Sequence, residues 1–374
     1  MTDLALRPSP SAPPASEEPS KTLPAPVRPP RAGASSSPRE ALFDHSIFAD
    51  PAAARRHRLR VGILLAAALL VSIGLLAWDN PVPVGTEGFW RIARLRAHAL
   101  IAILLVGWCQ GLATIAFQTI AGNRILTPSI MGFESLYRLI QTSVVFFFGA
   151  AGLAWIPAPL EYLVQAGLMV GFAALLFGSL LFTGRADLHR TLLIGIVIGT
   201  GLGAGAAYLQ RLLTPTEFDL LSARLIGNIS NADPTSLLLA APLALAAGIG
   251  LIKMSRKLDV LALGPHIATG LGIEVRSVRM RALLLIAVLM AVSTSLVGPM
   301  SFLGFLIALA SYEISGTHAH SRLLPLGAIV GIVLLGGSYF ILRHVFYAQG
   351  SVGVIIEAVG GTAFILHILR KGRL

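Results

Sequence analysis

The sequence predicts an all-α, polytopic membrane protein, and three observations carry that reading. Ten apolar stretches fill the chain from Val61 to Leu369, and clusters of Lys and Arg fall in alternate loops between them. Hydrophobic residues make up 55% of the 374 and charged residues 13%, with a mean hydropathy of +0.77. That balance leaves a soluble chain of this size too little polar surface. Hydrocarbon cannot satisfy a backbone amide or carbonyl, so a run such as Val61–Ala77 must close its own hydrogen bonds as a helix of roughly 20 residues.

The elements follow in order. Residues 1–55 are rich in Pro, Ser and Ala without apolar period and read as a disordered cytoplasmic tail, set apart from a transmembrane domain over 56–374. No apolar core precedes Val61, so the first span is expected to serve as its own insertion signal. The spans are expected at 61–78, 95–120, 128–149, 160–183, 191–212, 235–252, 280–297, 301–315, 322–343 and 350–369. The eighth is short and interrupted by glycine, which lipid tolerates only where a helix is buried among others or faces a cavity.

Charge sets the orientation. A formal charge of +11 is compatible with nucleic-acid binding, but its carriers sit where the positive-inside rule places them. They are Arg55, Arg56, Arg58 and Arg60; Arg185 and Arg190; Lys253, Arg256 and Lys257; Arg276, Arg279 and Arg281; and Arg370, Lys371 and Arg373. With ten spans, both termini are expected in the cytoplasm and no nucleic-acid partner is implied. The outward loops then hold Asp79, Glu87, Glu217, Asp219 and Asp233, together with one basic cluster, Arg91, Arg94 and Arg96, that the rule does not explain. The single cysteine, Cys109, lies within a span and excludes a disulfide framework or a CxxC site.

Two segments echo each other. Thr127-Pro-Ser-Ile-Met-Gly-Phe133 and Gly298-Pro-Met-Ser-Phe-Leu-Gly-Phe305 each place Pro, a few small or apolar residues and Gly-Phe ahead of a new helix. The span count puts the first at the inner face and the second at the outer face, the pattern of an inverted repeat with a pathway between its halves. Coincidence between two ordinary helix starts is the alternative.

Catalytic chemistry is absent from the pattern: no phosphate-binding G-x-x-x-x-G-K-[ST], no HExxH and no paired carboxylates at acid-base spacing. No catalytic residue and no metal-ligand set is therefore expected. His318 and His320, beside Glu313, read as solvated residues in a cytoplasmic turn, because two ligands make no closed metal shell. Glu134 and Arg138 can pair along one helix face. Glu357 has no partner in its own helix and reads equally as a lining residue or a buried structural carboxyl. The fifth span carries Gly195, Gly199, Thr200, Gly201, Gly203 and Gly205, so Thr200, Gly201 and Gly203, with Glu357, are the expected wall of a translocation path; close helix packing is the competing explanation.

The longest inward loop, Lys253–Arg281, reads as two short helices broken at Gly264-Pro265 and Gly270–Gly272. It is expected to expose Leu261, Leu263, Ile267, Leu271 and Ile273, and an apolar patch in water usually marks a partner site.

Three stretches resemble the iron-siderophore and cobalamin permeases of ABC importers: Asn123 to Tyr137 around the Thr-Pro-Ser-Ile-Met-Gly-Phe motif, the loop Leu261–Arg281, and Ser295 to Ile307 around Gly-Pro-Met-Ser-Phe-Leu-Gly-Phe. The first is worded like the branch that imports catecholate and petrobactin-type iron chelates. The resemblance runs from about Val61 to the C-terminus. It implies a cobalamin-importer-like permease of ten helices in the bacterial cytoplasmic membrane. Such a permease pairs with a second copy or a sister permease, takes a ferric chelate from an extracytoplasmic lipoprotein and is driven by two cytosolic ATPase subunits. ATP and magnesium would sit on those subunits and no cofactor on this chain. The loop over Leu261, Leu263, Gly264, Pro265, Ile267, Leu271 and Gly272 would enter a groove of the ATPase. Arg96 and Arg343 would meet acidic residues of the binding protein, with Arg91 or Arg94 substituting where the family's further basic residue is replaced by Ala99. Ser351-Val-Gly departs from the family's Pro-Val-Gly at the tenth helix. A cobalamin or heme permease of the same family, a stand-alone secondary transporter and a membrane anchor or scaffold are the alternatives.

Overall fold

The computed structural model describes residues 51–78, 81–83, 85–182, 188–229, 232–347 and 350–371. The expected tail, as far as residue 50, lies outside the described residues, as do Asp79, Arg185 and Arg373. Among the described residues all regular structure is helical. In chain order the helices are α1 Pro51–Ala77, α2 Glu87–Ala121, α3 Phe133–Trp155, α4 Ala158–Phe182, α5 Leu188–Gln210, α6 Pro215–Leu225 and α7 Pro234–Lys253. They continue as α8 Ser255–Leu261, α9 Pro265–Gly270, α10 Val275–Val297, α11 Leu303–Ser315, α12 His320–His344 and α13 Val352–Lys371, and a 3-10 turn at Pro128–Met131 precedes α3.

Each of the ten apolar runs falls on a helix. Seven of these, within α1, α2, α4, α5, α7, α10 and α12, are long and apolar enough to cross a bilayer, while α11 and α13 are apolar but shorter. Two boundaries move outward. Helix α1 begins at Pro51, ahead of the span expected from residue 61. Helix α2 begins at Glu87, because Thr86 caps it by accepting a hydrogen bond from the Phe89 amide.

Helix α2 is the central post, packed against α12, α10, α7 and α11. Small residues decide how close its neighbours come. A Cβ on Gly111 would lie 2.5 Å from the Gly327 carbonyl carbon, and one on Gly107 2.7 Å from the Ile332 nitrogen. The backbones of α2 and α12 therefore touch, gaining dispersion contacts that a larger side chain would forfeit. Helix α5 packs chiefly on α3 at the edge of the bundle.

Contacts between chain ends define two ends of the bundle. At the one called upper here, Arg96 of α2 donates to the Trp78 carbonyl, and Ile92, Pro234 and Arg343 border one cavity. At the lower end, His57 and Arg60 of α1 reach the Ser315 and Ile314 carbonyls that close α11.

The two echoing segments depart from the expected placement at opposite faces. They meet: Ser301 donates to the Glu134 carboxylate at 2.5 Å. Helix α11 has 13 residues and so rises only about 20 Å from the lower end, which leaves its start inside the bundle. From that junction α3 and α11 run in opposite senses.

Candidate functional site

Three places gather the residues singled out in the sequence. The first is the lower-end loop. Gly264 (φ 101°) and Gly272 (φ 80°) adopt the left-handed conformations that turn the chain into and out of α9, and Pro265 opens that helix. Leu263, Ile267 and Leu271 stand exposed, as the apolar-patch reading requires. Leu261 does not: at 3% exposure it belongs to the core, because it closes α8 on the face turned to the bundle. Leu258 and Ala268 anchor the element beside it. Ile273 is half-buried against the same core.

His318 is exposed, as a solvated turn residue should be, and only His320 departs from that reading. His318 lines a cavity of about 200 Å³ together with Gln118, Arg124, Ala262 and Tyr312, and Arg124 lies 4.7 Å above the Tyr312 ring. His320, by contrast, is buried. Its Nδ1 lies 2.6 Å from Asp259 Oδ1, its Nε2 lies 2.6 Å from Thr119 Oγ1, and its backbone amide donates to Asp259 at 2.8 Å. Both ring nitrogens are thereby taken, which leaves neither for a metal. Partial burial works to raise the Asp259 carboxyl, but the hydrogen bonds and charge of His320 outweigh it and hold the group below its ordinary value.

The second place is the upper end. Arg96, His98, Ala99 and Arg343 border a cavity of about 360 Å³, so the two arginines 247 positions apart come to one site (343 − 96). Their environments differ. Arg96 is 8% exposed, and its guanidinium is spent on the Trp78 and Leu76 carbonyls at the end of α1, at 2.6 and 3.5 Å. Its charge thereby caps the end of α1 at the border of the cavity. Arg343 is half-buried, and Arg91 and Arg94 are exposed.

A polar group the sequence reading missed lies near this end. Glu161 of α4 pairs with Arg224 of α6 at 3.0 Å and accepts from Gln141 of α3 at 3.0 Å, while Gln141 also donates to Gln165 at 3.1 Å. The Tyr137 hydroxyl donates to the Arg224 carbonyl. These residues line a cavity of about 230 Å³. Their separation along the chain, with Glu161 and Arg224 on different helices, leaves no local spacing by which to find them.

The third place is the mid-bundle junction. Thr127, Ser129, Glu134, Ser301, Phe302 and Phe364 line a cavity of about 330 Å³. Glu134 lies within electrostatic reach of both Arg138 and Glu357. The α5 glycines divide here. A Cβ on Gly199 would lie 2.7 Å from the Gly132 Cα, and Gly195 faces Met131, so these two seat the turn before α3. Gly203 borders Ser135, and nothing lies within 4 Å of a Cβ on Gly201. Thr200, Gly201 and Glu357 are exposed on the protomer surface.

A bundle of antiparallel apolar helices, with a mid-depth break where two short segments meet and an amphipathic element at one end, defines a polytopic membrane permease. The chain belongs to the FecCD transport family, which matches residues 59–370. It is 40% identical to the petrobactin import system permease protein FatC of Bacillus anthracis, over 87% of this chain and 92% of that protein. It is 33% identical to the petrobactin import system permease protein YclO of Bacillus subtilis, over 85% of this chain and 99% of that protein. Its fold is similar to that of a metal-chelate type ABC transporter solved in an inward-facing conformation, with a TM-score of 0.74 and 21% identity over 84% of this chain and 99% of that one.

Proposed function

We propose that this chain is the transmembrane permease subunit of an ATP-driven importer that carries a ferric siderophore of the petrobactin class across the bacterial cytoplasmic membrane. One observation carries the reading: the 40% identity to a petrobactin import permease extends over 92% of that protein. In this reading the chain makes ten passages, the short α11 starting inside the bundle, with both termini in the cytoplasm, an orientation supported by the positive-inside bias of the Lys and Arg clusters.

Function then divides by depth. At the lower end, Leu263, Ile267 and Leu271, presented by Gly264, Pro265 and Gly272, fill a groove of a cytosolic ATPase subunit, which holds the ATP and magnesium. At the upper end, Arg343 with Arg94 and Arg91 offers charge to acidic residues of an extracytoplasmic lipoprotein. Between them, the exposed Thr200, Gly201 and Glu357, with the half-buried Gly203, face the equivalent residues of a second permease. A bulky chelate passes between such walls without being held, because small, weakly polar groups offer iron no ligands. The chain itself catalyses nothing and binds no cofactor.

The test is uptake of radiolabelled ferric petrobactin into proteoliposomes containing this permease, its ATPase and its binding protein, each taken from the same gene neighbourhood. Uptake that requires ATP and stops when the binding protein is omitted is expected. Uptake driven by an ion gradient without ATP would instead assign the chain to the secondary transporters.

A further inference from the structure

The exposed element α8–α9 must be fastened to the spanning helices for anything that happens on its surface to matter inside the bilayer. Helix α9 packs on α8 and on the start of α10, and α8 in turn packs on α12 and α2. One polar link spans that second contact. Asp259 of α8 takes both the backbone amide and the ring Nδ1 of His320, the first residue of α12, and the far ring nitrogen reaches Thr119, one turn from the end of α2. The ring is 3% exposed and Thr119 also donates to the Ile115 carbonyl at 3.1 Å, so the link is seated in packed structure on both sides.

We propose that Asp259 and His320 are positioning residues that clamp the α8–α9 element to α2 and α12, so that displacement of α9 moves these two helices together. The inference rests on the reading of α9 as the ATPase-docking element. Three features single out this link. Helices α2 and α12 are already joined at backbone contact through Gly107, Gly111, Gly327 and Gly331, so a pull on either moves both. The carboxylate also supplies the first amide of α12, a group with no partner inside its own helix. Finally, the link is complete with the imidazole in either charge state. A neutral ring donates from Nδ1 to Asp259 and accepts at Nε2 the Thr119 hydroxyl proton, which then leaves the Ile115 carbonyl; a cationic ring donates from both nitrogens and lets that hydroxyl stay on Ile115. The clamp therefore holds whatever the charge of the ring.

The test uses the assembled complex of permease, ATPase and binding protein in proteoliposomes. It reads three quantities per complex: ATPase copurified, ATP hydrolysis with and without binding protein, and ferric petrobactin uptake. His320→Ala is expected to keep the ATPase bound while uptake, and the stimulation of hydrolysis by binding protein, fall by about tenfold or more, the range of ordinary coupling free energies. His320→Gln, whose amide can donate to Asp259 and accept from Thr119, is expected to recover most of both. If His320→Ala fails to assemble, Thr119→Val removes the last hydrogen bond without changing volume or charge, and is expected to lower uptake while leaving ATPase binding intact. Wild-type uptake and stimulation in an assembled His320→Ala or Thr119→Val complex would overturn the clamp. Failure of the unmodified permease to retain the ATPase would instead overturn the docking reading, so the two are told apart.

Discussion

Helices α2 and α5 are both long, apolar and rich in small residues, yet they do different work. Of the most apolar window of α2, 78% is buried within the chain; of α5, 22%. Gly107 and Gly111 of α2 are spent on contact with α12, where no Cβ fits. Along α5, Gly195 and Gly199 are spent in the same way on the turn at Gly132, but Gly201 faces open space and Thr200 lies exposed beside it. A run of small residues is thus two things at once, a seat for close packing and a smooth outer wall, and only the register of the neighbours separates them. Helix α2 is fixed from all sides, whereas α5 turns one side to the fold and one side away from it.

That contrast can be broken most sharply by adding bulk. Gly111→Leu places a side chain against the Gly327 backbone, which cannot yield, so the cost is expected to exceed the usual overpacking range of about 1–3 kcal/mol and to remove folded permease from the membrane. Gly201→Leu is expected to leave the melting temperature of the detergent-solubilised protein unchanged while lowering uptake. Equal loss of folded protein in both variants would erase the distinction.

A second pair sharpens it at the lower end. Ile267→Asp with Leu271→Asp is expected to abolish ATPase copurification with the permease still inserted, since both side chains are exposed. Leu261→Asp buries a carboxylate in the core and is expected to deplete the permease itself. Retention of the ATPase by the first variant would reject α9 as the docking element.

A third pair concerns the arginines at the upper end. Arg343→Glu with Arg94→Glu is expected to reduce uptake, with partial recovery on a charge swap in the binding protein, each exposed pair being worth only about 0.2–1 kcal/mol. Arg96→Ala is expected to act through the fold. Its loss leaves the Trp78 carbonyl without a charged donor, at a cost of about 1.5–3 kcal/mol read from thermal unfolding. Unchanged stability in Arg96→Ala would show that the Trp78 contact contributes nothing to the fold.

The smallest effect is a pH dependence at the clamp. The Asp259 carboxyl is held below its ordinary value in the fold, so the unfolded chain binds the proton more readily. The resulting stability is present above the ordinary carboxylate value, near pH 4, and is lost as pH falls through the lower folded value. Asp259→Asn is expected to flatten that acid-side loss, measured by melting temperature in detergent across the same range. An identical acid-side slope in the variant would show that the carboxylate contributes nothing there.

The sequence made much of the architecture legible because a bilayer imposes one demand on every crossing, and the runs in α1, α2, α4, α5, α7, α10 and α12 meet it without tertiary help. The lower-end loop was legible for a similar reason: Gly264, Pro265 and Gly272 punctuate it locally, and apolar residues between basic clusters are out of place in water. The burial of Leu261 and Arg96 was not legible because burial in a membrane bundle is set by which face meets a neighbour, and apolar residues surround both faces of these helices. His320 was taken for a solvated residue because its partners, Asp259 and Thr119, lie 61 and 201 positions away. The Glu161–Arg224 pair escaped on the same ground. The meeting of Glu134 with Ser301 was hidden by the shortness of α11, which the sequence showed but whose consequence for depth required the fold.

The measurement that bears most directly on transport through this chain is thiol accessibility along α5. In a Cys109→Ala background, a cysteine at Thr200 is expected to react with a water-soluble thiol reagent, and its rate to change when ATP is trapped on the partner subunits. A cysteine at Gly195, seated against Met131, is expected to stay inert in the same states. A Thr200 cysteine that remains unreactive in every state would mean that the open side of α5 faces lipid or packed protein, and that the chelate does not pass along it.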